Sequence, residues 1–215
     1  MTIERPGKII CVGLNYVDHA AEVEMPLPKR PLLFAKWPSA IIGDGDDIVI
    51  PQGVDNVDYE AELAVIIGRR TRDVPTADAL GSVAAYTCLN DVSARTEQMA
   101  DGQWTRAKSF DTFCPLGPSA VPANEISDPG SLRISCRVNG ETVQDATTAD
   151  LIFGISELIA YISRGVTLEP GDIIATGTPP GVALGRPGGH YLADGDTVEV
   201  EVEHIGILRN TVRCE

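Results

Sequence analysis

A β-rich α+β fold is what the sequence predicts, on three observations. Strand-like runs dominate, only two or three segments have helical character, and the βαβαβ alternation of a parallel α/β protein is absent. Residues 8–13, KIICVG, form a short β-rich run closed by Gly13. Residues 15–25, NYVDHAAEVEM, have helical composition and stop at the proline-rich PLPKRP of 26–31, a stretch suited to a surface lid. LLFAKW, DDIVIP and AELAVIIG follow as strands. TADALGSVAAYT (76–87) reads as a helix with Thr76 as its N-cap. Asn139-Gly140 between two alternating runs marks a hairpin. DLIFGISELIAYIS is helical and stops at Gly165. LEPGDIIATGT then gives a turn and a buried strand, and DTVEVEVEHIGILRNTVR two alternating strands about Ile205-Gly206.

Composition narrows the classes of function. A chain of 215 residues with 43% apolar and 22% charged residues suits one globular domain rather than a disordered segment. Its 31 acidic against 17 basic residues give a formal charge of −14, which repels phosphate backbones and anionic lipid. Nucleic acid and membrane surfaces are therefore not expected partners. Five scattered cysteines without a CxxC pair disfavour a zinc site or a disulfide framework. No signal-like N-terminus and no long apolar run stands out, so the expected location is the cytoplasm.

The chemistry centres on NVDYEAEL (56–63). A strand places Glu60 and Glu62 on one face, about 7 Å apart along the backbone. The same alternation in TVEVEVE, through Glu199, Glu201 and Glu203, is the mark of a solvated face, and that reading stands open for Glu60 and Glu62 too. Their strand, however, continues into Ala64 and Ile66 on the same face and Leu63, Val65 and Ile67 on the other, as a central strand does. Two carboxylates in such surroundings need a compensating cation or proton. Asp91 ends another apolar approach, AAYTCLN. Three carboxylates without convergent His or Cys make an all-oxygen set, suited to Mg²⁺ or Mn²⁺, with Ca²⁺ a further alternative.

Around Asp91, a helix opening at DVSARTEQ would put Asp91, Arg95 and Gln98 on one face. Arg95 is then either a helix ion-pair partner or an anchor for an anionic substrate. Lys108, taken alone, reads as a surface residue. His19 and Glu22, three apart on a helix, are side by side as a water-activating dyad requires, or simply share an exposed polar face. His190 and His204 read as structural or surface residues.

Together, CVGLNYVDHAAE (11–22), PLLFAKWPSAIIGDGDDIVIP (31–51), DYEAELAVIIG (58–68), NDVSAR (90–95), AKSFDTFCPLGP (107–118), GDIIATGTPPGV (171–182) and VEVEVEHIGILRN (198–210) resemble the fumarylacetoacetate hydrolase family, in family order. The resemblance implies a roll of mixed β-sheets closed into a barrel-like sandwich, usually a homodimer. It further implies a single catalytic domain over 1–215 with a lid at about 16–31 and no separate N-terminal domain. The short branch it points to contains acylpyruvate hydrolases and oxaloacetate decarboxylases. On that resemblance Glu60, Glu62 and Asp91 match the metal ligands, for Mg²⁺ or Mn²⁺. His19 and Glu22 match the lid dyad, and Arg95, Gln98, Lys108 and Thr178 match contacts to substrate oxygens, with Lys108 assisting the chemistry. The implied substrates are 2-oxo (pyruvoyl-type) carboxylic acids. Hydrolysis, decarboxylation, isomerisation and dehydration all remain open, as does mere binding on the same fold.

Overall fold

A computed structural model describes residues 5–186 and 188–215. Its strands are β1 Ile9–Gly13, β2 Leu32–Lys36, β3 Ile41–Ile42, β4 Asp47–Ile50, β5 Val57–Asp58, β6 Ala61–Ile67 and β7 Val83–Asn90. They continue as β8 Ser93–Ala94, β9 Cys114–Pro122, β10 Arg133–Val138, β11 Glu141–Thr147, β12 Ile173–Ala175, β13 Thr197–Val202 and β14 Gly206–Cys214. The α-helices are short: α1 Val17–Glu22, α2 Arg95–Asp101 and α3 Ile155–Ser163. The β-rich α+β expectation holds.

Seven strands form a mixed sheet in the order β2-β1-β12-β6-β7-β9-β3, and five more the order β11-β10-β13-β14-β4. The two sheets face one another, and β5 pairs with β8 as a small separate ribbon. Strand β6 lies between β12 and β7, antiparallel to both, and it is buried on both faces. Ala61, Leu63, Val65 and Ile67 enter the main core between the sheets, whereas Ala64 and Ile66 pack with Ile9, Cys11, Leu89 and Cys114 on the far side. This is the two-sided burial that the apolar continuation after Glu62 implied.

Two local expectations need correction. Residues 76–87 are not a helix: Thr76–Ser82 make a 3-10 turn capped by Pro75, without a side-chain cap, and Val83 starts β7. Pairing of β7 with both β6 and β9 satisfies its backbone groups and overrides helical composition. Gly68 permits the tight entry, since a β-carbon there would lie 2.8 Å from that of Ala84. The later helix also begins five residues after Asp150 and ends at Ser163, two residues before Gly165. Glu157 caps it by accepting the Gly154 amide proton at 2.9 Å.

The hairpin at Asn139-Gly140 is present, with φ of 53° and 80°, the left-handed pair that a two-residue turn needs. Strand β13 buries Val198, Val200 and Val202 and turns its glutamates outward. Both are ion-paired rather than bare: Arg137 donates to Glu199 and Glu201, each at 2.7 Å. All five cysteines are free, four buried and Cys214 exposed. Among the described residues, no helix is long and apolar enough to cross a membrane.

Candidate metal centre and its lid

Strands β6 and β7 bring the three predicted carboxylates together. Ala61 is opposite Asn90 in the ladder, so Glu60 and Asp91 leave the sheet side by side. The Asp91 amide donates to the Glu60 carbonyl at 2.9 Å, and the Glu60 amide to Asn90 Oδ1 at 3.0 Å. Glu62, one pleat further along, accepts the Gly177 amide proton at 2.8 Å. One oxygen from each of Glu60, Glu62 and Asp91 lies within 4.8 Å of the others, and all three residues are buried.

Cations surround this cluster unevenly. Lys108 Nζ donates to Glu60 Oε2 at 2.9 Å, Asp91 Oδ2 at 2.8 Å and Ser93 Oγ at 2.7 Å. Lys36 Nζ donates to Asp91 Oδ1 at 2.6 Å and to the Val92 carbonyl at 3.1 Å. Arg95 reaches Glu60 Oε1 at 2.8 Å, Asp58 Oδ2 at 2.8 Å and Gln98 Oε1 at 2.9 Å. Burial opposes ionisation of Glu60, but Lys108 and Arg95 outweigh it and hold its carboxyl below the usual range. Burial would also lower the Lys108 pKa, and here Asp91 and Glu60 more than offset it. Glu62 has no Lys, Arg or His within ion-pair distance among the described residues. Burial, with Asp91 and Glu60 beside it, pushes its carboxyl up.

The donor set fits a divalent cation. It is all-oxygen, it is buried, and its one unmatched negative charge is at Glu62, where an ion would supply what the protein does not. The softer His and Cys donors that zinc prefers are not part of it.

Four residues differ from their expected roles or escaped the sequence reading. Lys108, a surface residue by its local text, is 2% exposed and sits in the centre of the cluster. Asp91 is not on a helix with Arg95 and Gln98: it follows β7, and α2 begins only at Arg95. The small β8 strand comes between, because Val57 and Asp58 pair with Ala94 and Ser93. Lys36 and Asp58 were not anticipated. Lys36 hid inside the apolar LLFAKW, and Asp58 extends the period-two series of acids in DYEAE by one step. Asp58 is fully buried and also accepts amide protons from Ala183 at 2.9 Å and Leu184 at 3.1 Å.

The His19–Glu22 pair closes the site from above. His19 Nδ1 lies 3.3 Å from Glu22 Oε2, and both side chains are largely covered. Glu22 also accepts the Gly181 amide proton, at 2.9 and 3.1 Å. Its stem lies over Gly185, where a β-carbon would fall 2.2 Å from Glu22 Cγ. Beyond α1, residues 24–27 are exposed. Thr178 accepts from Gln144 Nε2 at 2.8 Å, and Gln144 Oε1 accepts the Ala61 amide proton at 2.9 Å. One glutamine thus ties the loop of Thr178 to the start of β6.

A cavity of about 600 Å³ has His19, Glu22, Glu60, Glu62, Arg95, Gln98, Lys108 and Thr178 on its wall, and Asp91 just beneath, against Lys108. His190 is instead half-exposed beside Asp196 at 2.7 Å, and His204 lies in the turn before β14.

The site is thus a buried carboxylate triad in a β-roll, with the His19–Glu22 pair on the wall of the same cavity. The chain belongs to the fumarylacetoacetate hydrolase family: the fumarylacetoacetate (FAA) hydrolase C-terminal domain matches residues 8–213. An uncharacterized protein of Archaeoglobus fulgidus is 53% identical over 217 residues, 98% of this chain and 83% of its own. Oxaloacetate tautomerase FAHD2A, mitochondrial, of Bos taurus is 48% identical over 212 residues, 98% of this chain and 68% of its own. The crystal structure of 2-hydroxyhepta-2,4-diene-1,7-dioate isomerase from Mycobacterium marinum superposes with a TM-score of 0.87 at 41% identity, covering 98% and 76% of the two chains.

Proposed function

We propose that the chain is a Mg²⁺- or Mn²⁺-dependent enzyme that acts on 2-oxo carboxylic acids, cleaving the C3–C4 bond of acylpyruvates by hydrolysis. The observation that carries this is the shared cavity: the Glu60–Glu62–Asp91 cluster and the His19–Glu22 dyad line or underlie the same space. A protein that merely bound a carboxylate would have no use for a covered His–Glu pair.

When bound by the three carboxylates, the divalent ion would act as a Lewis acid toward the pyruvoyl oxygens. The protein's own groups do the rest. Arg95 and Gln98 hold the substrate carboxylate, and Thr178 contacts its outer oxygen. Glu22, fixed by the Gly181 amide, orients the His19 ring. His19 takes a proton from water as the oxygen attacks the C4 carbonyl. The C3–C4 bond then breaks, its electron pair passes to C3 and the 2-oxo group, and the Lys108 ammonium faces that developing charge. C3 finally takes up a proton, giving pyruvate and the free acid. Loss of CO₂ from oxaloacetate would use the same charge stabilisation without attack by water.

A second reading is supported by the bovine relative's name: interconversion of oxaloacetate keto and enol forms. That step needs one proton removed from C3 and one delivered to the 2-oxo oxygen, within reach of the same His19 and Lys108. As further proposals, the chain works as a homodimer in the cytoplasm.

An activity panel tests the assignment, with acetylpyruvate, fumarylpyruvate, oxaloacetate, 2-hydroxyhepta-2,4-diene-1,7-dioate and a 2-keto-3-deoxy sugar acid, each with Mg²⁺, Mn²⁺ or EDTA. Metal-stimulated cleavage of acylpyruvates is the expected result. Undiminished turnover in EDTA overturns the metal assignment, and enol–keto conversion without cleavage selects the second reading.

A further inference from the structure

The charged groups occupy one end of the cavity, and an aromatic wall begins beside them. Lys108 Nζ lies 5.1 Å from the centre of the Phe34 ring. Phe34 and Trp104 meet edge to face with centroids 5.4 Å apart. Trp104 in turn lies on the backbone of Gly13, where a β-carbon would fall 2.5 Å from the indole. The indole is thus pinned between a ring and bare main chain, with its remaining surface on the cavity wall. Met25 and Met99, both exposed, continue that lining.

The cation beside this wall, Lys108, is already ion-paired. Of the Lys and Arg residues lining the cavity, Arg95 and Lys108 are matched by Asp58, Glu60 and Asp91. Arg186, on the 183–186 loop, lies against the uncharged Tyr59 side chain rather than a carboxylate. A second carboxylate laid along Phe34 and Trp104 would lose hydration against two aromatic rings. An apolar chain there loses nothing, and each buried methylene stabilises binding by about fourfold. The flexible methionines accommodate different chain lengths. The cavity volume of about 600 Å³ also leaves room well beyond a pyruvoyl group.

We propose that Phe34 and Trp104 select 2-oxo acids with an apolar tail beyond the pyruvoyl unit, aliphatic or aromatic, over those with a second carboxylate in that place. The proposal rests on the 2-oxo-acid chemistry assigned above and adds the polarity of the tail.

Binding tests it independently of turnover. The chain has two tryptophans, and Trp37 is 49% exposed, so W37F leaves Trp104 as the single reporter. With Mn²⁺ present, 2-oxobutanoate, 2-oxohexanoate, 2-oxooctanoate and 2-oxoglutarate are titrated against its fluorescence. The expected Kd falls about fourfold per methylene, and 2-oxoglutarate binds at least about tenfold more weakly than 2-oxohexanoate. In W104L, followed by calorimetry, the dependence on chain length flattens. M99K, at an exposed position on α2, shifts the preference toward 2-oxoglutarate. A Kd independent of chain length, or 2-oxoglutarate as the tightest ligand of the native sequence, overturns the proposal. Failure of every 2-oxo acid to bind removes instead the function on which it rests.

Discussion

Lys36 and Asp91 meet in the interior with Nζ 2.6 Å from Oδ1, and neither side chain has any exposed surface. Such a pair is strongly destabilising to break from one side, and without Lys36 the buried Asp91 carboxylate would keep Lys108 alone. Lys36→Met should therefore cost roughly 3–5 kcal/mol. For a chain of this length that is about 6–20 °C in Tm. Excess Mn²⁺ should return part of the loss, since an ion at the cluster replaces the missing positive charge. Scanning calorimetry with and without Mn²⁺ checks both; an unchanged Tm in K36M would show that the pair contributes nothing net.

Glu62 offers the cleanest removal of the metal. Ala at Asp91 leaves Lys36 without its carboxylate and takes one of two from Lys108, and Ala at Glu60 takes one of two from both Lys108 and Arg95. Those variants should lose both metal-dependent turnover and Tm. Glu62→Ala strands no cation, so turnover should fall to the EDTA level while Tm without metal is kept or rises. Titration calorimetry with Mn²⁺, alongside melting curves, separates the cases. Native Mn²⁺ affinity in E62A would exclude Glu62 as a ligand.

Gly185→Ala should mimic loss of the dyad without touching it. The new methyl would fall 2.2 Å from Glu22 Cγ and drive Glu22 off the Gly181 amide. Hydrolysis of acetylpyruvate should drop at least about 10²-fold in both G185A and H19A, the usual scale of a lost general base. Decarboxylation of oxaloacetate should suffer less, and Mn²⁺ affinity should hold. Parallel kcat values for the two substrates read the difference; equal losses would argue that the lid acts in both reactions.

Glu199 sets one limb of the acid stability profile. Hydrogen bonds from Arg137 and Arg209 hold its carboxyl below its ordinary value of 4.5. Because the folded value is the lower one, the ionised form favours folding. That contribution is fully present above pH 4.5 and lost as pH falls through the depressed value. The Tm difference between the native sequence and Glu199→Gln should be constant from pH 7 to 5 and shrink below it. A difference unaffected by acid would mean that the side-chain shape, not its charge, matters.

The parts of the site that sequence revealed were those with a local signature. Glu60 and Glu62 stood out because a strand buried on both faces follows them, and Asn139-Gly140 because few residues tolerate that turn. What stayed hidden depends on distant partners. Lys36 gives no local sign that its amine meets a carboxylate 55 positions away. Lys108 is a core residue only because Glu60, Asp91 and Ser93 converge on it. Residues 83–87 look helical until both neighbouring strands are in place.

Asp58 has one further consequence. The same carboxylate fixes Arg95, the anchor assigned to the substrate, and the Ala183–Leu184 amides beside Gly185, on which Glu22 rests. One rivet thus joins the seat of the proposed anchor to the seat of the lid glutamate. Loosening it would slacken both walls together.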